Sequence, residues 1–259
     1  MPGPLAGLKV LDFSTLLPGP FATMMLADLG ADVLRVESPS RPDMVRMMPP
    51  ISSDGNSAAH GYLNRSKRSI AVDLKTPEGL EVVRRLVREY DIVIEQFRPG
   101  VMDKLGVGYE ALKVINPRLI YVSITGYGQT GPYKDRAGHD LNYLALSGLS
   151  SYTGRRDSGP LPLGMQVADI AGGSLHGVIG LLAAVMGGIG MRYEDELNAA
   201  AAQANEAVRR MMPNVDLGIN FQQPEWVTEA QAKWQAQINQ VNAQLAEINP
   251  AAPAAAAGV

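Results

Sequence analysis

The alternation of short apolar runs with helical patterns constrains the fold most strongly. Five segments have the composition of β-strands, at residues 9–13, 32–36, 69–74, 91–95 and 119–125. Helix-like segments separate them, and strands joined in this way pair in parallel because a crossover helix returns the chain to the same sheet edge. The pattern therefore predicts an α/β fold, a Rossmann-like layered parallel sheet with flanking helices.

Several classes of function are disfavoured by what the sequence lacks. The turn after the first strand candidate (residues 14–24, STLLPGPFATM) has no G-x-G-x-x-G, and no P-loop follows, so NAD and ATP are not expected. Without cysteine, thiolate nucleophiles and cysteine-based zinc sites are excluded. A net charge of -3 argues against a nucleic-acid partner. The start is not that of a secretory signal, and the apolar run 179–185 is too short to span a membrane, so a cytoplasmic location without a membrane partner is expected.

The composition changes near Gly187. Three glutamines precede it, whereas eight lie between Gln203 and Gln244. Apolar residues there recur at steps of three and four, which predicts an amphipathic helix closed by Pro250. These residues are Val227, Ala230, Trp234, Ile238, Val241, Leu245 and Ile248. We therefore predict two regions, an α/β domain at 1–186 and a helical, partly disordered C-terminal tail at 187–259.

The first candidate catalytic residue is His139, which follows a glycine-rich stretch and precedes Asp140 in the sequence AGHDLNY. A histidine that enters a helix from such a loop is well placed to project into a cleft. Capping, or a hydrogen-bonded surface pair with Asp140, is the alternative interpretation of the same residues.

Asp169 is the second candidate, and it lies where a long helical pattern starts. An aspartate in that place commonly caps the helix. Gly172 and Gly173 remove two side chains from the first turn, which would leave room for a bulky ligand beside the carboxylate. Close packing of the helix on a neighbour explains the glycines equally well.

A third candidate is the basic cluster at residues 64–69 (NRSKRS), ahead of a strand. Arginine and lysine in such a loop suit phosphate groups, since arginine offers a planar fork and lysine a mobile point charge. A solvated surface run is the alternative.

Taken together, these segments have a recognisable order. The stretches at 4–39, 64–79, 95–132, 137–149 and 167–185 resemble family III CoA-transferases and α-methylacyl-CoA racemases. The resemblance covers about residues 4–186 and implies the fold of that superfamily. The C-terminal part departs from it, because members continue into a small second domain that we cannot match here.

The resemblance also implies a reaction. GHDLNY is typical of the racemase branch, where it supplies a catalytic histidine that works with a later aspartate, so His139, Asp140 and Asp169 become the catalytic candidates. The implied activity is an acyl-CoA racemase or epimerase that inverts the α-carbon of 2-methylacyl-CoA thioesters. One alternative is a family III CoA-transferase with Asp169 as nucleophile. Another is a catalytically silent fragment that binds CoA esters or oligomerises.

Partners follow from the same resemblance. The acyl-CoA thioester brings CoA as part of the substrate, so no separate cofactor and no metal are expected. Arg65, Arg68, Arg98 and Lys104 are expected near the nucleotide end of CoA. Family members are dimers, which implies a homodimer here.

Overall fold

Five parallel strands form the central sheet of the protein, which a computed structural model describes at residues 3–53 and 55–188. The strands are β1 (Lys9–Asp12), β2 (Asp32–Glu37), β3 (Arg68–Ala71), β4 (Ile92–Glu95) and β5 (Ile120–Ser123). They lie in the order β3-β2-β1-β4-β5, and all neighbouring pairs are parallel. The predicted layered α/β fold is thereby confirmed.

Helices connect and cover these strands. They are α1 (Pro18–Asp28), α2 (Ala58–Leu63), α3 (Pro77–Val87), α4 (Val101–Lys104), α5 (Tyr109–Lys113), α6 (Asp140–Leu146) and α7 (Ala168–Gly188). A small hairpin of β6 (Gly154–Arg155) and β7 (Gly159–Pro160) separates α6 from α7. The first part of α7, Ala168–Leu175, is a π-helix, a conformation that is often found at functional sites.

Each face of the sheet has its own apolar core. Because successive strand residues point to opposite faces, Val10 and Leu11 of β1 enter different cores. Leu11 joins the core that contains Val83 and Val87 of α3, whereas Val10 joins residues of α1 and α7 such as Leu26. The sheet is therefore covered on both sides, as a parallel sheet requires.

Two helix starts can be compared with the sequence. Thr76 has the N-cap side chain and precedes Pro77, and it caps α3, since its hydroxyl oxygen accepts a hydrogen bond from Gly79 N at 3.1 Å. Residues 18–20 (PGP) form the first turn of α1. Proline is compatible with that position because the first turn of a helix needs no N–H donor and favours the φ that proline imposes.

The helix α7 is longer than the apolar run that indicated it. It spans 21 residues with a mean hydropathy of 1.7 in its most apolar window, which by length and composition alone would suffice to cross a membrane. One side of α7 nevertheless packs within the domain, where Ser174, Val178 and Leu181 are buried. The core helix of a globular domain meets the same criteria of length and composition. The predicted tail helix at 227–248 lies outside the described residues and stays a prediction.

Candidate active site

A cavity of about 470 Å³ opens at the carboxyl ends of the strands. The loops after β1, β4 and β5 contribute to its wall, as do the residues before α6 and the first turns of α7. Its lining includes Leu16, Pro18, residues 96–99, residues 124–127, Lys134, residues 136–139, Tyr143, Ala168, Asp169, Gly172 and Gly173. Ligands of open parallel sheets bind at this end of the strands, where the loops converge.

His139 lies at the wall of this cavity and occupies the N-cap position of α6. Its backbone N–H donates to Asn142 Oδ1 at 2.9 Å, and Asn142 N donates to His139 O at 2.8 Å. These bonds anchor the backbone of His139 on both sides. His139 therefore both occupies the N-cap of α6 and lines the cavity, although the sequence offered these positions as alternatives.

Asp169 lines the same cavity from the first turn of α7 and is half-buried. Burial raises the pKa of the Asp169 carboxyl, Asp140 raises it further, and His139 opposes both. The capping interpretation of Asp169 is wrong, because Val167 holds the N-cap position and Asp169 lies inside the helix. The carboxyl therefore sits in the cavity wall near the imidazole, with a raised tendency to hold a proton.

The third catalytic candidate, Asp140, does not lie beside the cavity as His139 and Asp169 do. It is buried at the start of α6 and is not among the residues that line the cavity. Its Oδ1 accepts a hydrogen bond of 2.9 Å from Asp169 N. Asp140 thus ties α6 to α7 and fixes the spacing of His139 and Asp169.

Gly172 and Gly173, in the first turns of α7, have different roles. A Cβ at Gly172 would meet nothing within 4 Å, and Gly172 faces the cavity. A Cβ at Gly173 would lie 3.1 Å from Pro18 Cβ and 3.5 Å from Ile124 Cγ2. Gly173 therefore permits close packing of α7 on α1, whereas Gly172 leaves open space beside Asp169.

The predicted CoA-binding cations are scattered. Arg98 lines the cavity, whereas Arg65, Arg68 and Lys104 do not. Arg65 forms an ion pair with Asp28 at 2.5 Å, Arg68 pairs with Asp32 at 2.6 Å, and Lys104 is exposed on α4. A contact of these residues with the nucleotide stays a prediction.

Sequence reasoning missed two cations of the cavity, Lys134 and Arg136. Both lie in the glycine-rich stretch before His139. Their position directly ahead of GHD was the signal that could have identified them.

A buried polar network supports the loop that carries Leu16 into the cavity. Leu16 has a φ of +61°, and its N–H donates to Asp43 Oδ2 at 3.1 Å. Gln96 Oε1 accepts from Gly19 N at 3.0 Å. Asp43 also forms a buried ion pair with Arg35, whose Nη1 lies 2.9 Å from His60 Nε2. The buried Arg35–Asp43 pair thus supports the loop that forms one wall of the cavity.

Lys67, which the sequence placed in a basic surface cluster, belongs to this buried layer. Its Nζ donates to Pro20 O at 2.9 Å and to Asn64 Oδ1 at 3.0 Å, and it lies 3.5 Å from Asp12 Oδ2. Burial lowers the pKa of Lys67 from its ordinary 10.5 to about 8, although Asp12 opposes the shift. The surface interpretation is wrong for this residue.

This lowered pKa predicts a pH dependence of stability. The unfolded chain binds more protons at Lys67 than the folded one between pH 8 and 10.5. The contribution of Lys67 to the free energy of unfolding is therefore fully present above about pH 10.5 and is lost as the pH falls through about 8. We expect the free energy of unfolding of the wild type to rise relative to that of Lys67→Met between pH 7.5 and 10, measured by urea denaturation. Lys104→Met, at an exposed lysine, is the control; parallel curves for wild type and Lys67→Met would contradict the prediction.

Comparison with known proteins agrees with this architecture. The sequence profile of CoA-transferase family III matches residues 5–213, so the chain belongs to that family. The succinate–glutarate CoA-transferase of Agrobacterium fabrum is 49% identical over 189 residues, covering 71% of this chain and 47% of that protein. Human α-methylacyl-CoA racemase is 46% identical over 183 residues, covering 70% of this chain and 44% of the racemase.

Solved structures show the same relationship. A CaiB/BaiF family protein from Brucella suis superposes with a TM-score of 0.68 at 46% sequence identity. The match covers 72% of this chain and 50% of that one. This chain therefore spans about half the length of the relatives it matches.

Proposed function

We propose that the protein is an acyl-CoA racemase, which inverts the α-carbon of 2-methylacyl-CoA thioesters. The observation that carries the proposal is the presence of His139 and Asp169 on the wall of one cavity. Racemisation needs two groups that can exchange a proton with the same carbon from opposite faces. An imidazole and a carboxyl with a raised pKa meet that requirement.

The proposed reaction begins with a thioester whose α-carbon lies between the two side chains. Neutral His139 removes the α-proton of one stereoisomer, and the electron pair of the C–H bond moves into an enolate. Asp169, which enters this step protonated, returns a proton to the opposite face. The other stereoisomer reacts in the reverse sense, with Asp169 as base and His139 as acid. Burial of Asp169 supports these roles because it favours the protonated carboxyl.

A CoA-transferase is the second candidate, and similarity supports it as well as it supports the racemase. Relatives that are 49% and 42% identical are named for CoA transfer between succinate and glutarate. In that reaction the Asp169 carboxylate would attack the thioester carbonyl and expel CoA as thiolate, which forms an acyl anhydride on the enzyme. The thiolate would then attack the Asp169 carbonyl and release the free acid, and an acceptor acid would complete the exchange.

A third candidate is a fragment that binds CoA esters, or oligomerises, without turnover. The limited coverage of the relatives supports it, because half of their length has no counterpart in the match. The proposal of a homodimer in the cytoplasm, with CoA carried by the substrate and no separate cofactor, applies to each of the three.

The three candidate functions differ in whether a reaction occurs and in whether it needs an acceptor acid. We expect a single stereoisomer of 2-methylacyl-CoA to lose its configuration when it is incubated with the protein alone, as followed by chiral chromatography of the hydrolysed acid. Retention of configuration, with transfer of CoA only when succinate or glutarate is added, would support the transferase instead. Binding of the ester without either reaction would leave the silent fragment.

A further inference from the structure

The hydrogen bond between Arg35 and His60 requires a neutral imidazole. Arg35 Nη1 lies 2.9 Å from His60 Nε2. A guanidinium is always protonated and offers only N–H donors, so the lone pair of Nε2 must accept this hydrogen bond. A proton on Nε2 would occupy that lone pair and place a second cation against the first. The bond therefore exists only while His60 is uncharged.

The charges that face His60 are already balanced. They belong to Arg35 and Glu37 of β2 and to Asp43 and Arg46 in the segment that follows. Asp43 pairs with Arg35, and Glu37 accepts a hydrogen bond from Arg46 at 2.7 Å. Burial and the two arginines lower the pKa of His60, whereas Glu37 and Asp43 oppose the shift. A proton on the imidazole would thus add positive charge where each of these carboxylates already has a partner.

The charged group of α1 nearest to this region is engaged elsewhere. Asp28 of α1 pairs with Arg65 at 2.5 Å, and the Arg65 Cζ lies 4.5 Å from the centroid of the Tyr62 ring on α2. These three residues are not among the groups that shift the pKa of His60. The electrostatic surroundings of His60 are therefore set by β2 and by residues 43–46.

Arg35 depends on its bond to His60 because it is deeply buried. Its side chain is 2% exposed, and within the described residues its Nε has no hydrogen-bond partner. The hydrogen bonds of the guanidinium in that part of the chain go to His60 and Asp43. A buried donor without a partner is unfavourable, so loss of the bond to His60 would drive the guanidinium toward water. Asp43 would then lose its counter-charge.

Asp43 connects Arg35 to the wall of the cavity. Its Oδ2 accepts a hydrogen bond from Leu16 N at 3.1 Å, and its Oδ1 accepts one from Val45 N at 3.0 Å. Leu16 lines the cavity with a φ of +61°, a strained conformation that needs such support. Displacement of the Asp43 carboxylate would therefore release Leu16 from its position in the wall.

We propose that His60 is a positioning residue of the active-site cavity, whose neutral imidazole holds Leu16 in the wall through Arg35 and Asp43 and whose protonation at acid pH releases it. His60 is half-buried, so protons can reach it from solvent, and it is not part of the cavity lining. Acyl-CoA binding then depends on a proton that neither the substrate nor the reacting groups carry. The inference rests on the proposed function only for the identity of the ligand.

The first test needs no ligand and follows the Leu16 amide of the whole chain by NMR from about pH 8 to about pH 5. We expect its chemical shift to titrate in step with the His60 imidazole, with a midpoint below the ordinary histidine pKa of 6.5. The side-chain oxygen of His60→Gln can accept from Arg35 and does not titrate in this range, so the acid-induced shift of Leu16 should disappear in that variant.

The second test measures the affinity for 2-methylbutanoyl-CoA at about pH 7.5 and about pH 5. We expect the wild type to lose at least about threefold more affinity on acidification than His60→Gln does, because one titrating group changes an equilibrium by up to about tenfold per pH unit. His139 and Asp169 are the same in both proteins, so their own response to pH cancels in the comparison.

Two further variants complete the design. His60→Leu, which offers no acceptor to Arg35, should bind the ester more weakly than wild type at about pH 7.5, whereas His60→Gln should retain most of the affinity. His176→Gln, at an exposed histidine outside the cavity lining, is the matched control and should keep the acid sensitivity of wild type.

Three results would overturn the positioning role of His60. These are a Leu16 amide that does not titrate with the imidazole, an acid-induced loss of affinity that is equal in wild type and His60→Gln, and binding by His60→Gln as weak as that by His60→Leu. Failure of the proposed function looks different. In that case the Leu16 amide still titrates with His60, while the ester does not bind at either pH or binds without a change of configuration.

Discussion

Replacing His139 with alanine is expected to lower the rate of racemisation of a 2-methylacyl-CoA by about 100-fold to 10,000-fold, the usual contribution of a general acid or base. The imidazole is one of the two proton-transfer groups at the cavity wall, and alanine cannot hold a proton. Because the backbone of His139 and the side chain of Asn142 close the first turn of α6, the fold should tolerate the change. Polarimetry or chiral chromatography measures the rate.

His176→Ala is the matched control for this prediction. His176 is exposed on α7, where its Nδ1 lies 2.6 Å from Ala171 O, and it is not part of the cavity wall. We expect this variant to racemise within about twofold of wild type, in contrast to the loss expected of a catalytic acid or base. Equal rates of racemisation by His139→Ala and the wild type would remove His139 from the mechanism.

The second large effect is expected for stability. Arg35 and Asp43 form an ion pair whose side chains are 2% and 1% exposed. Arg35→Met would leave the Asp43 carboxylate buried without its counter-charge. Removing one partner of such a pair costs about 3–5 kcal/mol, so we expect a loss of that size in the free energy of unfolding, measured by urea denaturation at pH 7.

Arg68→Met provides a control of the same chemical change. Arg68 pairs with Asp32, but their side chains are 63% and 42% exposed, so a loss below about 1 kcal/mol is expected. A double variant, Arg35→Met with Asp43→Asn, should lose less than the two single variants together, because neither charge remains unpaired. A loss for Arg35→Met as small as that for Arg68→Met would show that the buried pair does not stabilise the fold.

This ion pair also connects stability to the site. Asp43 accepts the N–H of Leu16, which adopts a positive φ and lines the cavity. A non-glycine residue in that conformation is strained and requires support from its surroundings. Variants of Arg35 or Asp43 that remain folded should therefore bind acyl-CoA less tightly than wild type.

Much of the fold could be predicted from the sequence. The runs KVLDF and DVLRV correspond to β1 and β2, and Thr76 caps α3, because strand propensity and capping act over a few residues. The strand predicted at 69–74 is shorter in the structure and ends at Ala71. It lies at the edge of the sheet, where it has one neighbouring strand. Its side chains nevertheless alternate as predicted, because Ile70 and Val72 pack on the core while Ser69 and Ala71 are exposed.

The site could be predicted only in part. His139 and Asp169 are identified by motif order, and the structure places both on one cavity. The burial of Lys67 and Arg35 could not be predicted, because it depends on partners distant in sequence, Asp12 for Lys67 and Asp43 together with His60 for Arg35. A basic run looks the same in sequence whether its lysine faces water or a buried carboxylate.

Isotope exchange at the α-carbon tests the two-base account most directly. Each pure stereoisomer of a 2-methylacyl-CoA is incubated in D2O with wild type, His139→Ala and Asp169→Asn, and the α-proton is followed by NMR. We predict that wild type exchanges both stereoisomers with inversion, that His139→Ala exchanges only one without inversion, and that Asp169→Asn exchanges only the other. The absence of exchange with wild type, from folded protein that binds the ester, would contradict the assignment of a racemase.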